Sequence, residues 1–312
     1  DVGCGKTLMA ALMLFLMAEN GYQGVLMAPT EILAKQHFEE IEGDAKTYGI
    51  PVAYIDGDEK PSAKKAILEK ISTGEIAIVV GTQSLASGNF NYKKLGVVII
   101  DEEHRFGVND REALLSEAEN GVNTISMSAT PIPRTLAETI YGNHMDILDI
   151  RTMPSNRIPV QTAINNSDNI IFNFIEKQLL EGRQAYIVCP LIEKSTDTEK
   201  NPAFALLESV EEAYGKYVKR FGPTYKVAVL TGNMKKEEMA AVIQDFKAGN
   251  THILISTTVV EVGVNVPNAS VMVINNAERF GLASMHQLRG RVGRGKYKGY
   301  CILKSDDREN PR

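Results

Sequence analysis

The sequence predicts an α/β protein of two domains, each a mainly parallel sheet flanked by helices. Three observations predict it. Short apolar, β-branched runs recur along the whole chain, and helical stretches separate them. A segment with two prolines and no periodicity, Arg151–Pro159, divides the chain near its middle. The length of 312 residues suits about two domains of ~150 residues each. The expected division is therefore 1–150, a linker at 151–159, and 160–312.

The elements follow in order. Leu8–Ala18 (LMAALMLFLMA) is an unbroken apolar run and reads as a helix buried in the core. Strands are expected at Val25–Ala28, Val52–Ile55, Ile76–Val80, Val97–Ile100 and Thr124–Met127. The second half repeats the pattern at Val160–Ile164, Ala185–Cys189, Val227–Leu230, His252–Ser256, Val271–Ile274 and Tyr300–Leu303. Runs this apolar suit strands buried on both faces, as in parallel sheets, and strand–helix alternation implies βαβ units. Lys194–Pro202 reads as a polar surface loop leading into a charged helix that ends near Arg220.

Composition excludes several classes. Hydrophobic residues make up 44% and charged residues 23%, which is neither disordered nor fibrous. The longest apolar run is eleven residues, and a membrane span needs about 20. No basic segment precedes that run, so it is not a secretory signal. Cys4, Cys189 and Cys301 are scattered and odd in number, which implies a reducing cytoplasm, no disulfide framework and no structural zinc. The net charge of −5 disfavours a uniformly basic nucleic-acid binder. A local basic stripe exists, with nine Lys or Arg against three Asp or Glu from Arg279 onward. Within it Arg279, Lys296, Lys298 and Lys304 suit either DNA or a solvated face, and Lys296 and Lys298 are read as solvated. The chain opens at Asp1 directly into a functional loop and reads as part of a longer protein.

Three stretches carry chemistry. DVGCGKT at the start retains Gly3, Gly5, Lys6 and Thr7 of a phosphate-binding loop. Glycines let backbone amides face phosphate oxygens, and the helix that begins there adds its positive end. Lys6 would neutralise the β- and γ-phosphates of ATP, and Thr7 would ligate Mg²⁺. The second stretch is Asp101-Glu102-Glu103-His104 at the end of a buried strand. Asp101 would hold the Mg²⁺ and Glu102 would polarise the attacking water. The third is Gln287–Gly295, in which three arginines alternate with glycines. Planar guanidinium forks suit phosphate, so Arg291 and Arg294 would act as fingers on the γ-phosphate.

Small hydroxyl residues and free amides after strands suit the sugar-phosphate backbone, which carries no sequence information. Pro29, Thr30, Gly81, Thr82, Thr231, Gly232, Thr257 and Thr258 are the candidates. A plain helix cap is the competing role for each. Ser128 and Thr130 follow an apolar strand near the acidic site and would sense the γ-phosphate through Asp101 and pass its state to the DNA side.

Together these stretches resemble the ordered motif set of the superfamily 2 helicases. GCGKT (3–7) resembles motif I, APTEILAKQH (28–37) motif Ia and GTQSL (81–85) motif Ib. DEEH (101–104) resembles motif II, SAT (128–130) motif III, TTVVEVGVNVPNA (257–269) motif V and QLRGRVGRG (287–295) motif VI. DEEHRFG, SATPIPRTLA and EGRQAYIVCPLIEKS are most similar to bacterial branch-migration helicases, with transcription-repair coupling translocases as the runner-up. A nucleotide-dependent binding module without directional movement is the competing class.

The resemblance implies two RecA-like domains around one ATP site. It implies an ATP-hydrolysing, cytoplasmic, monomeric motor on duplex DNA that remodels stalled replication forks and Holliday junctions. It adds Cys4 and Gly263 to the nucleotide-binding set and Gln287 to the catalytic one. Two departures stand out. Cys4 replaces the usual small residue and puts a thiol, open to oxidation, beside the phosphates. Asn265 stands where the pattern has Asp, which would alter coupling.

Overall fold

The computed structural model describes residues 3–55, 61–87, 90–103, 106, 121–128, 146–150, 158–190, 208–258 and 266–305. It forms two compact units, each with its own sheet and core.

The first unit holds helix α1 (Lys6–Glu19), strand β1 (Gln23–Met27), α2 (Glu31–Tyr48), β2 (Val52–Ile55), α3 (Pro61–Thr73) and β3 (Ile78–Gly81). The short α4 (Ser84–Ser87), β4 (Leu95–Asp101) and β5 (Asn123–Met127) complete it. All pairings are parallel, in the order β2-β3-β1-β4-β5. One core layer joins Ala10, Ala11 and Leu14 of α1 and Ile41 of α2 to Leu26, Ile78, Val97 and Ile99. The other face packs Val25, Met27, Val79, Val98 and Ile100 with Ile71 and Phe106.

The second unit holds β6 (Gln161–Ile164), α5 (Asp168–Leu180), β7 (Gln184–Val188), α6 (Val210–Phe221), β8 (Val227–Leu230) and α7 (Lys236–Lys247). It continues with β9 (Ile253–Ser256), β10 (Ala269–Ile274), α8 (Leu282–Arg289) and β11 (Tyr300–Leu303). Its sheet is also parallel, in the order β6-β11-β10-β7-β9-β8.

All eleven expected strands are present. The expectation of burial on both faces fails at sheet edges. β6 is exposed along its whole length, β5 runs from an exposed Asn123 through half-buried residues to a buried Met127, and β8 is half-buried except at its last residue. An edge strand has one neighbour, and helices cover it incompletely. The reading of Leu8–Ala18 as a core helix also needs correction. Only Ala10, Ala11 and Leu14 of α1 are buried, while Leu8, Met9, Leu12 and Leu16 are each more than half exposed. An all-round apolar run hides which stripe of a helix meets its sheet.

The two units repeat one plan. Read from β8, the second sheet runs β8-β9-β7-β10-β11-β6, matching β2-β3-β1-β4-β5 with one further strand. The central strand of each opens on a buried glutamine. Gln23 donates to the carbonyls of Ile71 and Ile76 and accepts from the Lys94 amide. Gln184 donates to the carbonyls of Phe246 and Thr251, both at 2.7 Å, and accepts from Asn268 Nδ2. Each glutamine thus ties a helix end and two neighbouring strands to the sheet. Leucine would leave one carbonyl of each pair, that of Ile76 or Thr251, without its side-chain donor, at about 1–3 kcal/mol, while Ile71 and Phe246 keep the amides of Gly74 and Gly249. Gln184→Leu is therefore expected to lower unfolding stability by roughly 1–3 kcal/mol in urea titration, and Gln23→Leu by a similar amount. A loss under about 0.5 kcal/mol, the usual surface range, would contradict this role.

Candidate active site

Parallel pairing brings the carboxyl ends of all five first-unit strands to one edge. In register there lie Met27, Gly81 and Ile100, followed by Ala28, Thr82 and Asp101. α1 runs back against the strands, since only three residues join its end to β1. Its 14 residues extend about 21 Å, more than the ~17 Å of five strand residues. The loop before α1 therefore also reaches the carboxyl edge, where open α/β sheets bind ligands.

That loop has phosphate-cradle geometry. Gly3 (φ 75°) and Gly5 (φ 96°) both occupy the left-handed region, and Gly5 is the helix N-cap with no side-chain cap bond. Lys6 and Thr7 form the first turn and are half-buried. Cys4 is 8% exposed, so the loop shields its thiol and the expected susceptibility to oxidation is reduced. Cys189 and Cys301 are also free and buried, and burial pushes both thiols up to about 12.

Asp101 ends β4 and is buried, and Glu102 follows with φ 53°, one of two non-glycine residues at positive φ among those described. Such a backbone is costly for a side chain and persists where its surroundings enforce it. The other is Asn276, at the equivalent place after β10. The second unit thus keeps the turn but carries Asn275-Asn276 where the first carries Asp101-Glu102. The repeated fold has acidic chemistry in one copy only.

Thr7 and Asp101 fit Mg²⁺. That ion is held by one or two protein oxygens, substrate phosphates and water, so a multi-carboxylate cluster is not required. Asp101 Oδ2 is bonded to His37, and Oδ1 takes no hydrogen bond among the described residues.

The backbone-contact candidates divide. Thr30 caps α2, its Oγ1 accepting from the Leu33 amide at 3.4 Å, and Pro29 lies two residues beyond β1. Gly81 has a packing reason too: a Cβ there would meet the Ile55 carbonyl at 2.4 Å. Thr82 Oγ1 lies 3.3 Å from Ser84 Oγ. Ser128 follows β5 at the same edge. In the second unit Thr231 and Gly232 follow β8 but do not open a helix directly, since α7 is capped by Lys235. Thr231 is buried, whereas Gly232 and Thr258 are exposed and Thr257 is half-buried. Thr130, Gly263, His104, Asn265 and most of the linker lie outside the described residues.

The arginines occupy the opposite edge of the second sheet. Gln287 is buried on α8, and the following loop packs on the amino end of β10. There the Gly293 amide reaches the Ala269 carbonyl, and a Cβ at Gly295 would meet the Pro267 carbonyl at 2.4 Å. Glycine spacing thus lets the loop lie flat, with Arg291 and Arg294 half-buried beside it. Arg294 Nε donates to the Gly290 carbonyl at 2.9 Å, and Arg289 to that of Val160 at 3.2 Å. Both Arg291 and Arg294 act electrostatically on the buried Tyr186 hydroxyl, opposing the rise in its pKa that burial causes.

Of the basic stripe, Lys296 and Lys298 are exposed. Lys304 is engaged inside its own unit, donating to Asp168 at 2.7 Å and Glu208 at 3.3 Å.

Sequence reasoning missed His37 and the Asn275-Asn276 pair. His37 had a signal: it interrupts an apolar stripe, four residues after Leu33 and four before Ile41. The asparagines had none without the repeat seen in three dimensions.

Two such units, one with a phosphate loop and an acidic strand end and the other with an arginine loop, define the core of a helicase. Residues 1–139 match the DEAD/DEAH box helicase family and residues 170–296 the helicase conserved C-terminal domain. The ATP-dependent DNA helicase RecG of Bacillus subtilis (strain 168) is 43% identical over 308 residues, 98% of this chain and 44% of that protein. RecG of Streptococcus pneumoniae serotype 4 is 43% identical over 305 residues, 97% of this chain and 44% of that protein. The solved structure of RecG bound to a three-way DNA junction superposes with a TM-score of 0.75 at 39% identity, covering 98% of this chain and 39% of that one. The chain belongs to the RecG family of helicases and spans less than half the length of these relatives. The transcription-repair alternative is not favoured by these matches. No helix among the described residues is long and apolar enough to cross a membrane.

Proposed function

We propose that the chain is the motor core of an ATP-dependent DNA helicase that moves on duplex DNA and remodels stalled forks and Holliday junctions. The observation that carries this is the edge at which Gly3–Thr7, Asp101 and Glu102 converge, in a chain 43% identical to a RecG helicase along almost its whole length. Lys6 and the loop amides bind the phosphates of ATP. Thr7 and Asp101 would hold Mg²⁺, which would supply positive charge against the phosphates. Glu102 orients the attacking water and accepts its proton. Arg291 and Arg294, supported by Gln287, stabilise charge on the transferred phosphoryl group. Cys4 and Gly263 belong to the nucleotide-binding set.

Pro29, Thr30, Gly81, Thr82, Thr231, Gly232, Thr257 and Thr258 meet the DNA backbone, and Ser128 and Thr130 couple it to the nucleotide. The two motor domains, 1–150 and 160–312, are joined by 151–159. The protein works in the cytoplasm as a monomer.

The test is ATP hydrolysis by the full-length protein without DNA, with linear duplex and with a model fork, using Lys6→Ala as the blank. Stimulation by the fork well above that by linear duplex is expected. Equal stimulation by any duplex, or none, would overturn the fork-remodelling assignment.

A further inference from the structure

His37 has no part in the mechanism above. It lies on α2 among Leu33, Ala34, Ile41 and Ala45, the residues this helix buries, and it alone of them is polar. It is 2% exposed. Its Nε2 lies 2.9 Å from Oδ2 of Asp101. A carboxylate can only accept, so the ring nitrogen donates. The other ring nitrogen, Nδ1, is buried and has no hydrogen-bond partner among the described residues. A buried polar group left half-satisfied is costly, and an apolar residue would fill the stripe without that cost. What imidazole supplies here, and leucine does not, is the bond to Asp101.

We propose that His37 is a positioning residue for Asp101, holding Oδ2 so that Oδ1 is the oxygen offered to Mg²⁺. Strand pairing of Asp101 with Met127 fixes its backbone but not the rotation of its carboxylate. Among the described residues His37 is the one hydrogen-bond partner of that carboxylate. Partners behind a metal ligand orient it and tune its affinity for the ion. Resting on the nucleotide-site reading above, which makes Asp101 the metal-binding carboxylate, this assigns the support of that carboxylate to α2.

The test measures binding rather than turnover. A fluorescent, non-hydrolysable ATP analogue is titrated into the full-length protein at a series of Mg²⁺ concentrations. For His37→Leu the half-saturating Mg²⁺ concentration is expected to rise about 10–100-fold, with analogue affinity in EDTA unchanged. His37→Gln, whose amide N–H can sit where Nε2 sits, retains most of the wild-type Mg²⁺ response. His37→Asn, one methylene shorter, does not. An unchanged Mg²⁺ response in folded His37→Leu overturns the proposal. If His37→Leu does not fold, equal behaviour of the Gln and Asn variants overturns it. A wild-type protein that binds the analogue without any Mg²⁺ dependence overturns the nucleotide-site reading, and the role of His37 with it.

Discussion

Glu102→Gln is expected to bind ATP as tightly as the parent and to hydrolyse it about 10²–10⁴-fold more slowly, the usual contribution of a positioned general base. The substitution is nearly isosteric. It keeps the size of the side chain and asks for the same left-handed backbone, φ 53°, after β4. What it removes is the oxygen that can take a proton from water. The phosphate loop, Lys6 and Asp101 are untouched, so nucleotide affinity should stay within about twofold, under ~0.5 kcal/mol. Single-turnover hydrolysis measures the first effect and fluorescent-nucleotide titration the second. Glu102→Gly separates chemistry from strain: it relieves the backbone but also lacks the carboxylate, so its hydrolysis should be equally slow. Hydrolysis by Glu102→Gln at the parent rate would remove Glu102 from the reaction.

The backbone at Glu102 bears on how far the site could be read from the sequence. The carboxylates were legible because a hydrophobic strand running into acids is a local pattern. The fixed turn that aims them was not, because no residue type announces a left-handed glutamate. Strand positions were legible for the same local reason, since β-branched runs such as Val97–Ile100 are short and sharply bounded. Burial was less so. Whether Val227–Leu230 is a central or an edge strand depends on the sheet order, which follows from the crossovers rather than from the strand itself. α1 illustrates the complementary limit. Its run is apolar on every side, so periodicity could not indicate that Ala10 and Leu14 face the sheet while Leu8 and Leu12 do not.

His37 shows what pattern reading discards. A single histidine in an apolar stripe looks like a packed core residue until the partner is seen, and that partner is 64 positions away. The arginine loop was found by composition, yet its place in the fold was not. Gly293, in the left-handed region, lies close against Gly299, and Gly295 lets the loop lie on Pro267, a contact the local sequence does not announce. Local composition thus identified the chemistry, and tertiary contacts determined its direction.

Lys6→Ala is the substitution expected to remove the most. Lys6 lies in the first turn of α1, directly after a left-handed glycine, and only half-buried. Its loss should therefore leave the fold and the apo melting temperature nearly unchanged. Hydrogen bonds to charged groups are worth about 1.5–3 kcal/mol, so ATP affinity should fall roughly 10–150-fold. Hydrolysis should fall further, because a donor aimed at developing phosphoryl charge is worth about 10²–10³ in rate. The nucleotide series tests the assignment more sharply than the rate does. Lys6 is placed on the β- and γ-phosphates, so the preference for ATP and ADP over AMP should shrink while AMP binding is little changed. Ligand-induced stabilisation reports this directly, since each tenfold loss of affinity removes about 1.4 kcal/mol of it at saturating nucleotide. A variant that lost affinity equally for ATP, ADP and AMP would place Lys6 at the α-phosphate or the sugar instead. The charge that answers the terminal phosphates would then have to come from another basic side chain.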